Sequence, residues 1–276
     1  EQGLKALLAG LGPAPRTPFN HTIGAARVFA PARLSLARAK AFGKAHDASL
    51  NDVVLAVCAG ALRDYLRARD ALPRKPLVAA VPVSLREAGD VRSNNQASMT
   101  VVDLPTHLAD PRRRFKAQLA ATARMKEGLS RWKSLMPTDF PSLGLPWLMS
   151  RAARLAGNAH LADRLPVIAN LVISNVPGPG FPLYLAGARM DQYNPTSIVV
   201  HGMALNITIQ SYDGHLEFGL VGCARAVDAI SELAAGIEAS FEALLAAHAV
   251  PPAAARPSRG APRETTGATR RRKASA

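Results

Sequence analysis

The chain has 276 residues, 48% of them hydrophobic and 5% aromatic, and a formal net charge of +14. That is enough apolar material for one large domain or two small ones with a sizeable core. Cys58 and Cys223 are the only cysteines, which argues against a disulfide framework and a thiolate metal site, and no run reaches the ~18–20 apolar residues of a membrane span. The start does not read as a signal peptide, so a cytoplasmic location is expected. The first residue is Glu rather than Met, as in a piece of something longer.

Charge is unevenly spread. Residues 251–276 carry +6, from Arg256, Arg259, Arg263, Arg270, Arg271, Arg272 and Lys273 against Glu264, and +8 remains on the rest. Residues 250–276, rich in Pro, Ala, Ser and Gly, read as a disordered basic tail. Such a tail can touch an anionic membrane or nucleic acid, or simply keep the chain in solution. The body has no nucleic-acid fold motif and no aromatic interleaving, so no specific nucleic acid is expected.

In chain order, residues 1–20 read as a linker remnant with Gly/Pro-rich coil. Ala26–Ala30 predicts a short strand, after which Pro31 opens a helix to about His46. Ser49 is an N-cap for a second helix, about 51–69, with Val54, Val57, Cys58, Ala61, Leu62 and Tyr65 on one stripe. Leu77–Val83 is a buried strand, with Pro82 placing it near an edge or bulge. Ala97–Leu104 is the next strand, and Asp110-Pro111 starts a helix to about 127 with a basic face of Arg112, Arg113, Arg114 and Lys116. Residues 129–164 predict one or two helices broken by Pro137, Pro141 and Pro146.

The run Val167–Ile173 predicts a buried strand that stops in Ser174, Asn175 and a Pro-Gly-Pro-Gly turn. Pro177 and Pro179 lack the N–H that sheet pairing needs, and Gly178 and Gly180 allow left-handed dihedrals or close approach. Leu183–Met190, Ser197–Val200, Ala204–Ser211 and His215–Val221 predict further strands, the last two joined by an Asp213-Gly214 hairpin turn. Asn206, Thr208 and Gln210 share one face of their strand, a row that reads as a solvated face before it reads as the wall of a wet tunnel. Ala226–His248 is an amphipathic helix. The mixture, without strict strand–helix alternation, predicts an α/β domain with a mixed β-sheet layered with helices.

Little free-standing chemistry is legible. The seven histidines form no His-x-x-His or His-Glu-x-x-His pattern, so no metal is expected. No Walker loop, dinucleotide fingerprint or Gly-x-Ser-x-Gly elbow appears. His201, before Gly202, stands where a general base can sit, though an isolated histidine is more often structural. Asn51-Asp52 has two readings: Ser49-x-x-Asp52 approximates a capping box, and an amide beside a carboxylate can also orient a neighbouring loop.

Asn51-Asp52-Val-Val-Leu-Ala, Val-Pro-Val-Ser-Leu-Arg (81–86), Asn94-Asn95-Gln96, Ser174-Asn175-Val-Pro-Gly-Pro and Asn194-Pro195 before the 204–222 hairpin occur in one order from about Phe19 to His248. In these blocks the chain resembles the bacterial wax ester synthase/diacylglycerol acyltransferase family. That resemblance implies one lobe of the CoA-dependent acyltransferase fold, the fold of chloramphenicol acetyltransferase and condensation domains, in which two similar lobes flank a tunnel. It implies an acyl-CoA-dependent O-acyltransferase for diacylglycerol or long-chain alcohols, in triacylglycerol or wax ester synthesis, with acyl-CoA as substrate and no further cofactor.

The family's general base belongs to a His-His-x-x-x-Asp-Gly motif, which is absent from this sequence. Its Pro-Leu-Trp block is absent too, and no catalytic residue is assigned here. The resemblance therefore implies the C-terminal lobe (21–249) of an enzyme, inactive without its N-terminal partner lobe. The alternative is a non-catalytic module that binds lipid, acyl-CoA or another subunit. Ser174, Asn175 and Gly178 are then the expected substrate-binding or tunnel-lining residues, and Asn51, Asp52, Pro177 and Pro179 a structural motif at the lobe interface. Arg112–Arg114 read as a solvated helix face before they read as partners of CoA phosphates. Basic residues offer contact with a membrane or lipid-droplet surface.

Overall fold

The computed structural model describes residues 13–84, 97–135 and 166–249. Strand β1 (Arg27–Ser35) leads into helices α1 (Leu36–Ala45) and α2 (Leu50–Arg67), followed by β2 (Leu77–Ser84), β3 (Ala97–Leu104) and α3 (Pro111–Leu135). Then come β4 (Leu171–Val176), the two-residue strands β5 (Tyr184–Leu185) and β6 (Ala188–Arg189), β7 (Leu205–Tyr212), β8 (His215–Cys223) and α4 (Ile230–His248). Six strands form one mixed sheet in the order β1-β8-β7-β4-β2-β3. Strand β4 has parallel neighbours on both sides, β2 and β7, and every other pairing in that sheet is antiparallel.

The helices cover one face. Ala32 and Leu34 of β1, Ile173 of β4, Ile207 and Ile209 of β7 and Phe218 and Leu220 of β8 enter one core with α2 and α4, the two-residue alternation expected of strands buried on that side. Helix α2 is buried at every position from Asp52 to Leu62, because α1, α3 and α4 all pack around it. An apolar helix that is hydrophobic all round is an interior helix, and the single stripe read from sequence understates it. Its start carries the capping box that the spacing predicts: Asp52 N–H donates to Ser49 Oγ at 3.3 Å, and Ser49 N–H to Asp52 Oδ2 at 2.8 Å.

Several elements differ from expectation. Pro31 lies inside β1 rather than opening a helix; β1 is an edge strand, where a missing N–H can face away from the ladder. The helix starts five residues later, capped by Ser35. Pro82 lies where β2 has left its short parallel pairing with β4, at Ala79 and Ala80, and keeps only β3 beside it. Leu183–Met190 is not one strand but a tight hairpin, turned at Ala186 and Gly187 with φ of 49° and 84°. Ser197–Val200 makes only an isolated bridge, Val200 to Met203. The Asp213-Gly214 turn forms as expected, with φ of 41° and 81°. The readings for residues 1–12, 85–96, 136–165 and 250–276 lie outside the described residues.

The polar row of β7 is not solvated. Asn206 and Thr208 are buried on the sheet's second face, under the segment 191–200. Asn206 Nδ2 donates to the Ile198 carbonyl at 3.2 Å, and Arg33 Nη2 to the Asp191 carbonyl at 2.6 Å. Arg33 also pairs with the buried Glu217 at 2.5 Å. The pair is close but poorly aligned, since neither Glu217 oxygen has a well-angled hydrogen bond. Among the described residues, Phe29, Met99 and Val176 on the strands of this face, Ile198 and Val200 above it, and Phe181, Tyr184 and Leu185 around the β5–β6 hairpin are all exposed.

A polar cluster ties α2 to the start of α4. The Tyr65 hydroxyl and Arg69 Nε each donate to Asp228 Oδ1 at 2.8 Å, and Arg69 stacks on the Tyr65 ring at 3.8 Å. The Arg69 bond, then the Tyr65 bond, hold the Asp228 carboxyl down to about 2, against 3.8 ordinarily. A depressed carboxyl adds stability above its unfolded value, and that stability is lost as pH falls through the folded value. Asp228 is largely exposed, so solvent screening keeps the contribution below about 1 kcal/mol. Asp228→Asn is expected to flatten the loss of stability between pH 4 and 2, read by urea unfolding; an unchanged slope would count against the cluster.

Candidate functional site

The carboxyl end of β4 is where the fold brings separate stretches together. Asn175 follows Leu171 and Ile173 on the helix-facing side of β4, and Ser174 points to the opposite face beside Thr208 of β7. Pro177 ends the strand. The turn that follows is pinned to the β7–β8 hairpin: Gly178 N–H donates to Ser211 Oγ at 3.0 Å, and Asp213 N–H to the Pro179 carbonyl at 3.2 Å. Gly178 is needed for closeness, not dihedral freedom, since a Cβ there would overlap the Ser211 carbonyl. At Gly180 a Cβ would meet nothing within 4 Å.

A cleft of about 220 Å³ opens at this strand end, lined by Leu36, Lys40, Leu50, Asn175, Pro177 and Ser211. Leu36 and Leu50 are the first residues of α1 and α2, so two helices begin at its wall. The Asn175 carboxamide has no hydrogen-bond partner among the described residues, and Lys40 has no ion pair there. Among the described residues the cleft is therefore lined by one unpaired cation, one free amide and the apolar Leu36, Leu50 and Pro177. Of the residues singled out from sequence, Asn175 and Pro177 reach it, and Ser174 faces away. Leu36, Lys40, Leu50 and Ser211 were not legible, because no motif links them; they meet only through the parallel pairing of β4 with β7 and the packing of α1 beside it.

The other candidates resolve individually. Asp52 is committed to the capping box through Oδ2, and its buried Oδ1 has no hydrogen-bond partner among the described residues; the Asn51 side chain is half-buried on the same turn. His201 Nδ1 accepts from the Ile23 N–H at 3.2 Å, so the neutral ring carries its proton on Nε2 and keeps no free lone pair for base catalysis. Arg112 and Arg113 are exposed on α3, but Arg114 is buried, bonding the Leu108 and Ala109 carbonyls at 2.9 and 3.0 Å. Burial lowers the Arg114 pKa. The expected basic face is thus two arginines and Lys116, with Arg114 a structural cation.

Ahead of β1, residues 13–24 are packed rather than loose. Phe19 is fully buried, and Asn20 and Asn170 share a buried network. Asn20 Nδ2 donates to the Ala169 and Gly202 carbonyls at 3.1 and 2.8 Å, and Asn170 Nδ2 to the Pro15 carbonyl and Asn20 Oδ1 at 2.6 and 2.8 Å. Val78 N–H donates to Asn170 Oδ1 at 2.8 Å. This network fixes the approach to β4 from its amino end, opposite the cleft.

Among the described residues no helix is long and apolar enough to cross a membrane. The family model described as the WS/DGAT C-terminal domain matches residues 93–245, and the wax ester synthase/diacylglycerol acyltransferase catalytic domain model matches residues 5–54. The chain is 41% identical over 232 residues to a probable diacylglycerol O-acyltransferase of Mycobacterium tuberculosis, covering 84% of this chain and 50% of that one. It is 37% identical over 231 residues to an O-acyltransferase of Acinetobacter baylyi, covering 83% and 48%. The chain thus spans about half the length of the curated relatives it matches.

Among solved structures, the wax ester synthase/diacylglycerol acyltransferase from Marinobacter aquaeolei VT8 superposes with a TM-score of 0.66 at 33% identity, over 89% of this chain and 55% of that one. A condensation domain of the enacyloxin polyketide synthase matches at a TM-score of 0.52 and 17% identity, covering 90% of this chain and 46% of that one. That second likeness concerns the fold alone, the chloramphenicol acetyltransferase-like arrangement expected from the sequence. By these matches the chain belongs to the wax ester synthase/diacylglycerol acyltransferase family.

Proposed function

We propose that this chain is the C-terminal lobe of an acyl-CoA-dependent O-acyltransferase that moves long-chain acyl groups onto diacylglycerol or a fatty alcohol. The observation that carries the reading is the family match to both the catalytic-domain model, over residues 5–54, and the C-terminal domain model, over residues 93–245. The general base is a histidine of a His-His-x-x-x-Asp-Gly motif, which this sequence does not contain. That histidine takes the proton of the acceptor hydroxyl while the oxygen attacks the thioester carbonyl. The tetrahedral oxyanion then collapses, the C–S bond breaks, and the proton passes to the leaving CoA thiolate. Asn175, at the cleft, contacts substrate, and Ser174 lies on the sheet face turned toward the other lobe.

The exposed apolar side chains of the sheet's second face support a partner lobe there. Contiguous exposed apolar area on a soluble domain ordinarily marks an interface. This chain by itself is therefore expected to self-associate and to bind a dye for exposed apolar patches. A clean monomer by light scattering that binds no dye would count against an interlobe face.

The direct test is an acyltransferase assay with long-chain acyl-CoA and either fatty alcohol or diacylglycerol. The chain is assayed alone and mixed with a polypeptide carrying the histidine motif. Transfer in the mixture only is the expected result. Transfer by the chain alone overturns the need for an external base, with His201→Ala the first variant to examine. No transfer in either case, with acyl-CoA still bound, replaces the enzyme reading with a non-catalytic lipid- or acyl-CoA-binding module.

A further inference from the structure

We infer that His46 and His248 form a two-imidazole site for a divalent transition ion of the zinc or copper class, where helices α1 and α4 end side by side. The inference stands apart from acyl transfer. Leu36 opens α1 at the cleft, and His46 follows the last turn of that helix, roughly 15 Å along it.

The fold brings the pair together from distant parts of the chain. Arg38 of α1 clasps Glu242 of α4 at 2.6 and 2.8 Å. Further along both helices His46 meets His248, so the two helices run in the same direction. The imidazole centres are 4.8 Å apart, and the Phe42 and Phe115 rings complete a cluster of four. Both imidazoles are half-buried.

Three features select a metal ion. The first is the tautomer: each Nδ1 lies 2.9 Å from the carbonyl four residues earlier, Phe42 for His46 and Leu244 for His248. A carbonyl only accepts, so in the neutral ring the proton sits on Nδ1 and Nε2 keeps its lone pair. A backbone carbonyl on the other ring nitrogen is the support that metal-bound histidines ordinarily have. Neither Nε2 has a hydrogen-bond partner among the described residues. The second is spacing. A zinc–nitrogen bond of about 2.0–2.1 Å puts the ring centre roughly 3.2 Å from the ion, so two rings at a tetrahedral angle stand about 5 Å apart; the observed 4.8 Å fits. The third is charge: two helix carboxyl ends, each partly negative, lie together and favour a cation. Lys44, on the last turn of α1, and Arg112, on the first turn of α3, stand at this end too. Both are exposed, and Arg112 donates from Nε to the Ala247 carbonyl. No third His, Cys, Asp or Glu joins the pair among the described residues. Nitrogen ligands without a carboxylate suit zinc, copper or nickel, with water in the remaining positions, and do not suit calcium or magnesium.

The test titrates the chain, without an added histidine tag, with Zn²⁺ by calorimetry and with Cu²⁺ by electron paramagnetic resonance. A single site filled at micromolar concentration is expected, with two imidazole nitrogens in the Cu²⁺ spectrum. His46→Gln and His248→Gln are each expected to weaken Zn²⁺ by at least the roughly 10–100-fold that loss of an outer-shell partner costs, and to leave one imidazole. His215→Gln, at the start of β8, is the control and should bind as the wild type does. Each site variant also removes a ring from the aromatic cluster, so a second measure uses the unmutated chain: Zn²⁺ should protect His46 and His248 from diethyl pyrocarbonate, read by mass spectrometry. Wild-type affinity in both site variants, with neither histidine protected, overturns the site. A Cu²⁺ spectrum with fewer than two imidazoles overturns it as well. So does failure to bind either ion at millimolar concentration, and the four rings are then a packing cluster. The acyltransferase reading is judged separately, by transfer in the two-part mixture.

Discussion

Asn170→Ala is expected to lower the unfolding free energy by about 3–5 kcal/mol, measured by urea denaturation. Asn170 is fully buried, and its side chain makes three hydrogen bonds: to the Pro15 carbonyl, to Asn20 Oδ1 and from the Val78 N–H. Removing one partner leaves the others buried and unpaired, at about 1–3 kcal/mol for each orphaned group. Asn20 Oδ1 keeps its bonds from the Thr17 N–H and hydroxyl, which places the sum toward the lower part of that range. Asn170→Asp separates the parts: it keeps an acceptor for Val78 but cannot donate to Pro15 or Asn20. A loss below about 1 kcal/mol in Asn170→Ala would mean that residues 13–20 are not anchored as described.

Gly219→Ala is expected to cost about 2–4 kcal/mol and to free the segment 191–200. Gly219 stands mid-strand in β8 between Pro31 and Thr208, and the Pro195 carbonyl rests on it so closely that a Cβ would overlap that oxygen. The obstacle is backbone, so no rotamer change relieves it, and overpacking of this kind costs about 1–3 kcal/mol and at times more. Lifting the segment also breaks the Arg33–Asp191 and Asn206–Ile198 bonds. Gly180→Ala, with open space around it, is the control and should change stability by less than about 0.5 kcal/mol. Urea unfolding and limited proteolysis between 191 and 200 report the two consequences. Equal stability of Gly219→Ala and wild type would contradict the seating of Pro195.

Gly219 also illustrates why the site was only partly legible. In sequence it is a glycine inside an alternating run, where it marks a bulge or a close backbone approach, and nothing local says what approaches. Thr208 and Asn206 alternate with isoleucines as a solvated strand does; their burial comes from a segment that crosses them. Arg114 sits in a run of three arginines, and only the fold of residues 108–110 back toward α3 supplies the carbonyls that bury it. Lys40 is one lysine on a short helix until the carboxyl end of β4 is placed beside it.

Local sequence by itself determined the parts governed by short-range physics. These are the Ser49–Asp52 capping box, the Asp213-Gly214 hairpin, the strands Leu77–Ser84 and Ala97–Leu104 to within a residue, and the stop of β4 at Pro177. Each depends on neighbours a few residues away, through capping bonds, φ preferences or a missing N–H. The order and spacing of the motif blocks carried the family as well. Only the tertiary structure decided where Pro31 belongs, which face of β7 is covered, that Ser174 and Asn175 part company across the sheet, and that Lys40 and Asn175 share one cleft. Those depend on strand register and on residues more than a hundred positions apart being brought together, as Lys40 and Asn175 are at one cleft and Pro31 and Gly219 are across a strand pair. Strand periodicity tells which residues share a face but not what lies against it.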